Sequence, residues 1–114
     1  MITGIGLDVV ELERIEKIDQ RSIKFRNRIL TEKELVIYAN YSNSRRTEFL
    51  AGRFSGKEAF AKAKGTGIGA SCNFVDIEIL PNTQGKPELF FKGEKVNGFI
   101  SITHTKSIAA AQVI

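Results

Sequence analysis

The side chains that could do chemistry in this sequence lie in three short segments. Asp8 closes an otherwise apolar stretch, and Glu58 and Lys62 stand four residues apart in a segment of helical pattern. Residues four apart share one face of a helix, so this carboxylate and this ammonium group can act together. The third segment, Gly65-Thr66-Gly67, has the composition of a tight loop. Together these groups suit a hard divalent cation and a diphosphate, because magnesium is typically held by one or two carboxylates and substrate phosphates.

Each of these groups alone also has a purely structural explanation. Asp8 could cap a helix or end a strand in solvent, and Glu58 with Lys62 could form a surface ion pair worth about 0.3–0.5 kcal/mol. The glycine loop could expose backbone amides to a phosphate, but it lacks the lysine and the following helix of a P-loop. His104, the single histidine, could be a turn or packing residue. The hypothesis of a phosphate site therefore rests on the presence of all these groups together and not on any one of them.

Helices and strands must position these groups, and the first half of the chain predicts one strand followed by helices. Residues 2–10 have a β-branched strand pattern that ends near Asp8. Thr31 and Glu34 form a capping box that begins one helix. A longer helix is predicted from Ser44 to about Gly65, with apolar residues at three- and four-residue spacings.

Strands dominate the second half. The alternation at 75–80 predicts a half-buried strand with a hairpin partner at 88–91, and 99–103 with 108–114 predict a last pair around His104. One strand, then helices, then several strands predicts an α+β domain with helices packed on one face of a small, mostly antiparallel sheet. A length of 114 residues predicts that the single domain covers 1–114.

Composition narrows the class of protein. A hydrophobic fraction of 42% and a charged fraction of 26% are typical of a folded globular domain. No apolar run is long enough to span a bilayer and no basic leader is seen, so we expect a cytoplasmic protein. Cys72 is the only cysteine, which excludes an intramolecular disulfide and a cysteine-based zinc site.

The charge of the chain favours an acidic partner. The net charge is +4, from 17 basic and 13 acidic residues, and the pI is about 9.4. Nucleic acid, a phosphorylated metabolite and an acidic protein are all negatively charged partners that this net positive charge would attract. Residues 21–28 form a basic segment around Phe25, which leaves a small nucleic-acid-binding module as an alternative. Such a module would have no use for Asp8 and Glu58.

Four segments of the chain match a known family nearly from end to end. They are GIGLDVVELERI at 4–15, FRNRILTEKE at 25–34, EFLAGRFSGKEAFAKAKGTGIG at 48–69 and SITHTKSIAAAQV at 101–113. In these segments the chain resembles the bacterial holo-acyl-carrier-protein synthases, small members of the 4′-phosphopantetheinyl transferase superfamily. The resemblance implies transfer of 4′-phosphopantetheine from coenzyme A to a serine of apo-acyl carrier protein, with release of 3′,5′-ADP, in fatty acid biosynthesis.

The resemblance also implies roles for single residues. Asp8 and Glu58 are expected to ligate Mg²⁺, and Glu58 and Lys62 to be catalytic: Lys62 lies against the diphosphate, and a metal-bound water relayed through Glu58 serves as base. The expected coenzyme A-binding residues are Arg45, Arg53, Lys62, Gly65, Thr66, Gly67, His104 and Thr105.

Partners follow from the same resemblance. The acidic acyl carrier protein is expected to dock on Arg14, Arg21, Lys24, Phe25 and Arg28. The family forms homotrimers with active sites between subunits, and neither nucleic acid nor membrane is expected as a partner. A catalytically idle subunit that keeps only the docking surface is a further alternative, against which the intact metal ligands and Lys62 argue.

Overall fold

A computed structural model of the chain describes residues 2–114. Helices separate the first strand from the remaining strands, as the sequence pattern predicts, and the structure has four of them. In chain order the elements are β1 (Gly6–Glu11), α1 (Leu12–Arg21), α2 (Lys24–Ile29), α3 (Glu32–Ala39), α4 (Asn43–Lys64), a 3₁₀ turn (Phe74–Asp76), β2 (Ile77–Pro81), β3 (Pro87–Phe91), β4 (Glu94–Lys95), β5 (Ile100–His104) and β6 (Ile108–Val113).

The strands form two antiparallel sheets of three strands each, in the orders β1-β6-β5 and β2-β3-β4. This confirms the α+β class and the antiparallel pairing, and the strands are divided between two small sheets where one was predicted. The hairpin β2-β3 pairs locally, whereas β1 pairs with β6 from the other end of the chain. Strand β1 begins at Gly6, later than predicted, because Gly6 pairs with Val113, the last residue of β6. Residues 2–5 therefore lie beyond the end of that ladder.

The long helix α4 is the element on which the first sheet packs. It has 22 residues and stops at Gly65, which adopts the left-handed conformation with φ 85°. That conformation has no steric cost for glycine, so the helix ends where the sequence predicts. On the β5 side, Gly52 and Gly56 leave room for the side chains of Ile100 and Ile102.

Strand β1 approaches α4 more closely than any side chain would allow. A Cβ atom built on Gly6 would lie 1.7 Å from the carbonyl oxygen of Ala59, and one on Gly4 would lie 2.1 Å from that of Ala63. Glycines at these two positions let the strand lie directly against the helix backbone. The next inward-facing residue of β1 is Asp8, which is thereby held beside α4.

The opposite face of the first sheet is exposed and partly apolar. Leu7 and Val9 point away from α4 and are 58% and 56% exposed, and Ile5 just before the strand is equally open. Among residues 2–114, no helix combines the length and apolar character needed to cross a bilayer.

Candidate functional site

Asp8 and Lys62 meet where β1 lies against the carboxyl-terminal half of α4. The Lys62 Nζ donates hydrogen bonds to Asp8 Oδ1 at 3.1 Å and to the Leu7 carbonyl oxygen at 3.0 Å. The Asp8 side chain is only 15% exposed, whereas that of Lys62 is 51% exposed. Lys62 thus forms an ion pair with Asp8. Its ammonium group lies at the edge of the site, where a ligand can reach it.

Glu58 lies one helical turn before Lys62 and close enough to Asp8 for the two carboxylates to repel each other. Its partial burial, and then the charge of Asp8, raise the pKa of Glu58, while Lys62 lowers it. Two carboxylates that disfavour each other's charge are stabilised by a cation between them. This set of donors fits Mg²⁺, which prefers oxygen ligands. Within residues 2–114, no third Asp, Glu, His or Cys side chain joins the pair, so water and substrate would complete the coordination.

The Gly65-Thr66-Gly67 loop continues directly from the end of α4, the helix that carries Glu58 and Lys62. Both glycines have positive φ, at 85° and 67°. The prediction that the loop exposes its amides is wrong for Gly65 and Gly67, because both amides donate to the Ala61 carbonyl oxygen. They extend the hydrogen bonding of the helix end, so an anion would meet the exposed Thr66 instead.

A second group of predicted residues lies at the β5 edge of the first sheet. His104 Nε2 lies 3.4 Å from Glu48 Oε2, and Arg45 Nε lies 3.6 Å from Glu48 Oε1. Thr105 forms a tight turn, in which its hydroxyl accepts hydrogen bonds from the amides of Ser107 and Ile108 at 3.2 Å each. Glu48 was missed by sequence reasoning. Its position three residues after Arg45 on a helix was the signal that could have found it.

Arg53 is turned inward. Its Nε donates to the Ile79 carbonyl oxygen at 3.2 Å, and its guanidinium lies 4.2 Å from the centroid of the Phe49 ring. Burial lowers the pKa of Arg53. In this arrangement the side chain joins α4 to β2, and its predicted contact with a nucleotide phosphate stays a prediction.

One chain does not bring all the predicted coenzyme A residues into one cleft. Arg45 and Lys62 are 17 residues apart on α4, which corresponds to about 25 Å along the helix axis. Asp8 and His104 face the same side of the sheet, but they lie on its two edge strands with β6 between them. The residues form a carboxylate group beside β1 and a separate cationic group beside β5.

The predicted docking residues lie on α1 and α2. Arg14 and Arg21 line an open cleft with Lys17, and these arginines, like Lys24 and Arg28, are exposed. Phe25 is only partly exposed, because its ring packs against Phe54 with centroids 5.9 Å apart. The surface is therefore mainly cationic, with part of one aromatic ring available.

A known family and its curated members match this chain over almost its whole length. The family model of the 4′-phosphopantetheinyl transferase superfamily matches residues 4–113. A curated holo-[acyl-carrier-protein] synthase of Listeria welshimeri is 50% identical over 117 aligned positions, covering 100% of this chain and 98% of that protein. Another from a Geobacillus species is 51% identical, covering 100% and 96%.

Solved structures match the fold with equal coverage. A holo-(acyl-carrier-protein) synthase of Bacillus anthracis, in complex with CoA (3′,5′-ADP), has a TM-score of 0.88 and 48% identity over 99% of this chain and 95% of that one. The Helicobacter pylori synthase in complex with coenzyme A has a TM-score of 0.85 and 33% identity, covering 96% and 97%. That of Neisseria meningitidis has a TM-score of 0.89 and 34% identity, covering 99% and 97%.

Proposed function

Since the chain belongs to the holo-acyl-carrier-protein synthases of the 4′-phosphopantetheinyl transferase superfamily and is therefore a transferase, we propose that it uses Mg²⁺ to move phosphopantetheine from coenzyme A to an acyl carrier protein. The serine oxygen of the carrier attacks the β-phosphorus of coenzyme A. The bond from that phosphorus to the bridging oxygen breaks, and 3′,5′-ADP leaves. We assign this reaction to a cytoplasmic step of fatty acid biosynthesis.

The observation that carries the proposal is the cluster of Asp8, Glu58 and Lys62 between β1 and α4. The two carboxylates would hold the magnesium ion. When bound, that ion would supply positive charge to the oxygens of the diphosphate. Residues of three different types converge here from positions 54 residues apart in sequence, which a plain core would not require.

The chain's own residues divide the remaining work. The exposed ammonium group of Lys62 can turn from Asp8 to the diphosphate and stabilise charge on the transferring phosphoryl group. Glu58 accepts the proton of the serine hydroxyl through a water molecule. Its position beside Asp8, where the two carboxylates would hold the ion and its water, supports this role.

We propose that the complete coenzyme A site forms between copies of the chain in a homotrimer. The separation of the carboxylate group from Arg45, His104 and Thr105 supports this, because a neighbouring copy could bring the second group to the first. The exposed apolar side chains of Leu7 and Val9 supply a surface for such contact. Thr66 and Arg53 would contribute to the same nucleotide site.

We further propose that the acyl carrier protein docks on α1 and α2. The exposed charges of Arg14, Arg21, Lys24 and Arg28 would meet acidic side chains, and the accessible part of the Phe25 ring would supply an apolar contact. This places the carrier on the helices that follow β1 in the chain.

The experiment is to incubate the protein with coenzyme A, Mg²⁺ and an apo-acyl carrier protein and to measure the carrier's mass. We expect the phosphopantetheine increment, its loss on chelation, and its loss in Glu58→Gln. A cognate carrier that stays unmodified, or product that persists under chelation, would refute the proposal.

A further inference from the structure

A fully buried ion pair joins α3 to α4. Lys57 and Glu34 are both 0% exposed, and Lys57 Nζ lies 2.6 Å from Glu34 Oε1. Burying two charges is costly unless each remaining donor and acceptor is also satisfied, and apolar residues of similar size often give equal stability. A buried pair of this kind therefore calls for an explanation other than stability alone.

Both partners of the ion pair make further hydrogen bonds to the backbone. Lys57 Nζ also donates to the Ile29 carbonyl oxygen at 2.6 Å. Glu34 Oε1 accepts from the Thr31 amide at 2.9 Å, and its Oε2 accepts from the Ile79 amide at 2.8 Å. Two side chains thus connect the end of α2, the start of α3, the middle of α4 and the strand β2.

The two ends of this connection have different proposed tasks. Ile29 is the last residue of α2, the helix that carries Phe25 and Arg28. Lys57 immediately precedes Glu58 on α4, and successive helical side chains point about 100° apart. Lys57 therefore reaches toward α2 while Glu58 faces the Asp8 side. No other residue adjacent to a proposed metal ligand makes a buried polar bond to the docking helices among the contacts of residues 2–114.

We propose that Lys57 and Glu34 are positioning residues that fix the docking helix α2 relative to Glu58, so that the carrier's serine arrives within reach of the diphosphate. The proposal rests on the function proposed above. Apolar packing would also hold α2 against α4, but it would allow sliding that the bonds to Ile29, Thr31 and Ile79 do not. Loss of the pair should therefore weaken use of the carrier and leave coenzyme A binding intact.

The test uses the double variant Lys57→Met with Glu34→Gln, which removes both buried charges together. Steady-state rates are measured with apo-carrier varied at saturating coenzyme A, and then with coenzyme A varied. We expect kcat/KM for the carrier to fall about 10- to 100-fold, because small misplacements remote from the chemistry have effects of this size. The KM for coenzyme A should stay within about twofold, a change too small to reflect loss of a hydrogen bond.

Hydrogen exchange provides a readout that does not depend on turnover. Exchange of the α2 amides should accelerate in the double variant, while the amides of β5 and β6 should keep their protection. Control variants Leu89→Val and Leu89→Ala lower stability by graded amounts through a buried residue of β3, which pairs with Ile79 but forms none of the side-chain hydrogen bonds of the ion pair. They should leave kcat/KM for the carrier unchanged.

Each outcome has a separate meaning. A wild-type protein that never modifies the carrier refutes the proposed function itself. If the wild type is active and the double variant keeps its carrier kcat/KM, or loses coenzyme A and carrier binding equally, the positioning role is wrong. If the double variant fails to fold, Glu34→Asp, which keeps both buried charges but withdraws the carboxylate by one methylene, should show a smaller loss of the same selective kind, and an unselective loss refutes the proposal.

Discussion

The close approach of β1 to α4 gives the most demanding prediction, that Gly6→Ala separates the proposed metal ligands. The added Cβ would lie 1.7 Å from the Ala59 carbonyl oxygen, where ordinary contact begins near 3.4 Å. The strand would therefore have to withdraw by about 1.7 Å, the difference of these two distances. The obstructing atoms, those of the Ala59 carbonyl group and the Ala63 amide nitrogen, belong to the backbone. Rotation of a side chain therefore cannot relieve the clash.

The size of the effect follows from this displacement. Overpacking a tight core costs about 1–3 kcal/mol, and a clash with backbone belongs at the upper end. For a domain of this size we expect the melting temperature to fall by roughly 10–15 °C. Asp8 lies two residues along the same strand and would move away from Glu58, so carrier modification should fall about 100-fold or more.

The assay pairs thermal unfolding, followed by circular dichroism, with the mass-based transfer assay. Gly69→Ala is the matched control, because no atom lies within 4 Å of its added Cβ and its φ is not positive. That variant should melt as the wild type does. If Gly6→Ala melts within about 2 °C of the wild type and keeps its turnover, the argument from backbone contact is wrong.

Three further predictions concern polar groups that are wholly or partly buried. Ser55→Ala should raise the free energy of unfolding by about 1–2 kcal/mol, since the buried Ser55 Oγ has no partner within residues 2–114; a loss of stability in urea titration would contradict this. Burial and the Asp19 hydrogen bond raise the pKa of Tyr38 to about 12, so its stabilising contribution is complete below about pH 10 and lost as pH rises toward 12. The stability difference between wild type and Tyr38→Phe should therefore shrink over that window, and a constant difference would refute it. Burial and the charge of Asp8 raise the pKa of Glu58 above the ordinary value of a glutamate. The ionised carboxylate therefore lowers the free energy of unfolding at pH values above the raised pKa. Below the ordinary pKa the group is protonated in both the folded and the unfolded chain, and this effect is absent. Without metal at pH 7, Glu58→Gln should melt above the wild type and lose this advantage in acid, and a lower melting point would contradict the sign.

Local patterns in the sequence predicted α3 and α4 well. The spacing of apolar residues and the terminal Gly65 gave α4 to within a residue or two, and the Thr31 and Glu34 capping box is present as predicted. These features depend on residues at most four apart. No local pattern predicted the ion pair of Asp8 with Lys62, because the two residues are 54 positions apart.

Features that depend on distant pairing could not be predicted. The two hairpin pairs, β2 with β3 and β5 with β6, were predicted correctly, but the pairing of β1 with β6 and the division into two sheets were missed. The second role of Glu34 is another case. Its capping function is readable locally, but its bonds to Lys57 and to Ile79 join residues 23 and 45 positions away.

The two faces of strand β1 require different types of residue, and this limits the substitutions that the strand can accept. Inward, Gly6 admits no side chain and Asp8 must carry charge. Outward, Leu7 and Val9 keep apolar groups exposed in the single chain. Because neighbouring positions along a strand face opposite ways, a one-residue insertion or deletion would exchange the two sets at once. Substitutions in these few residues should therefore be tolerated less than in any exposed turn, and length changes least of all.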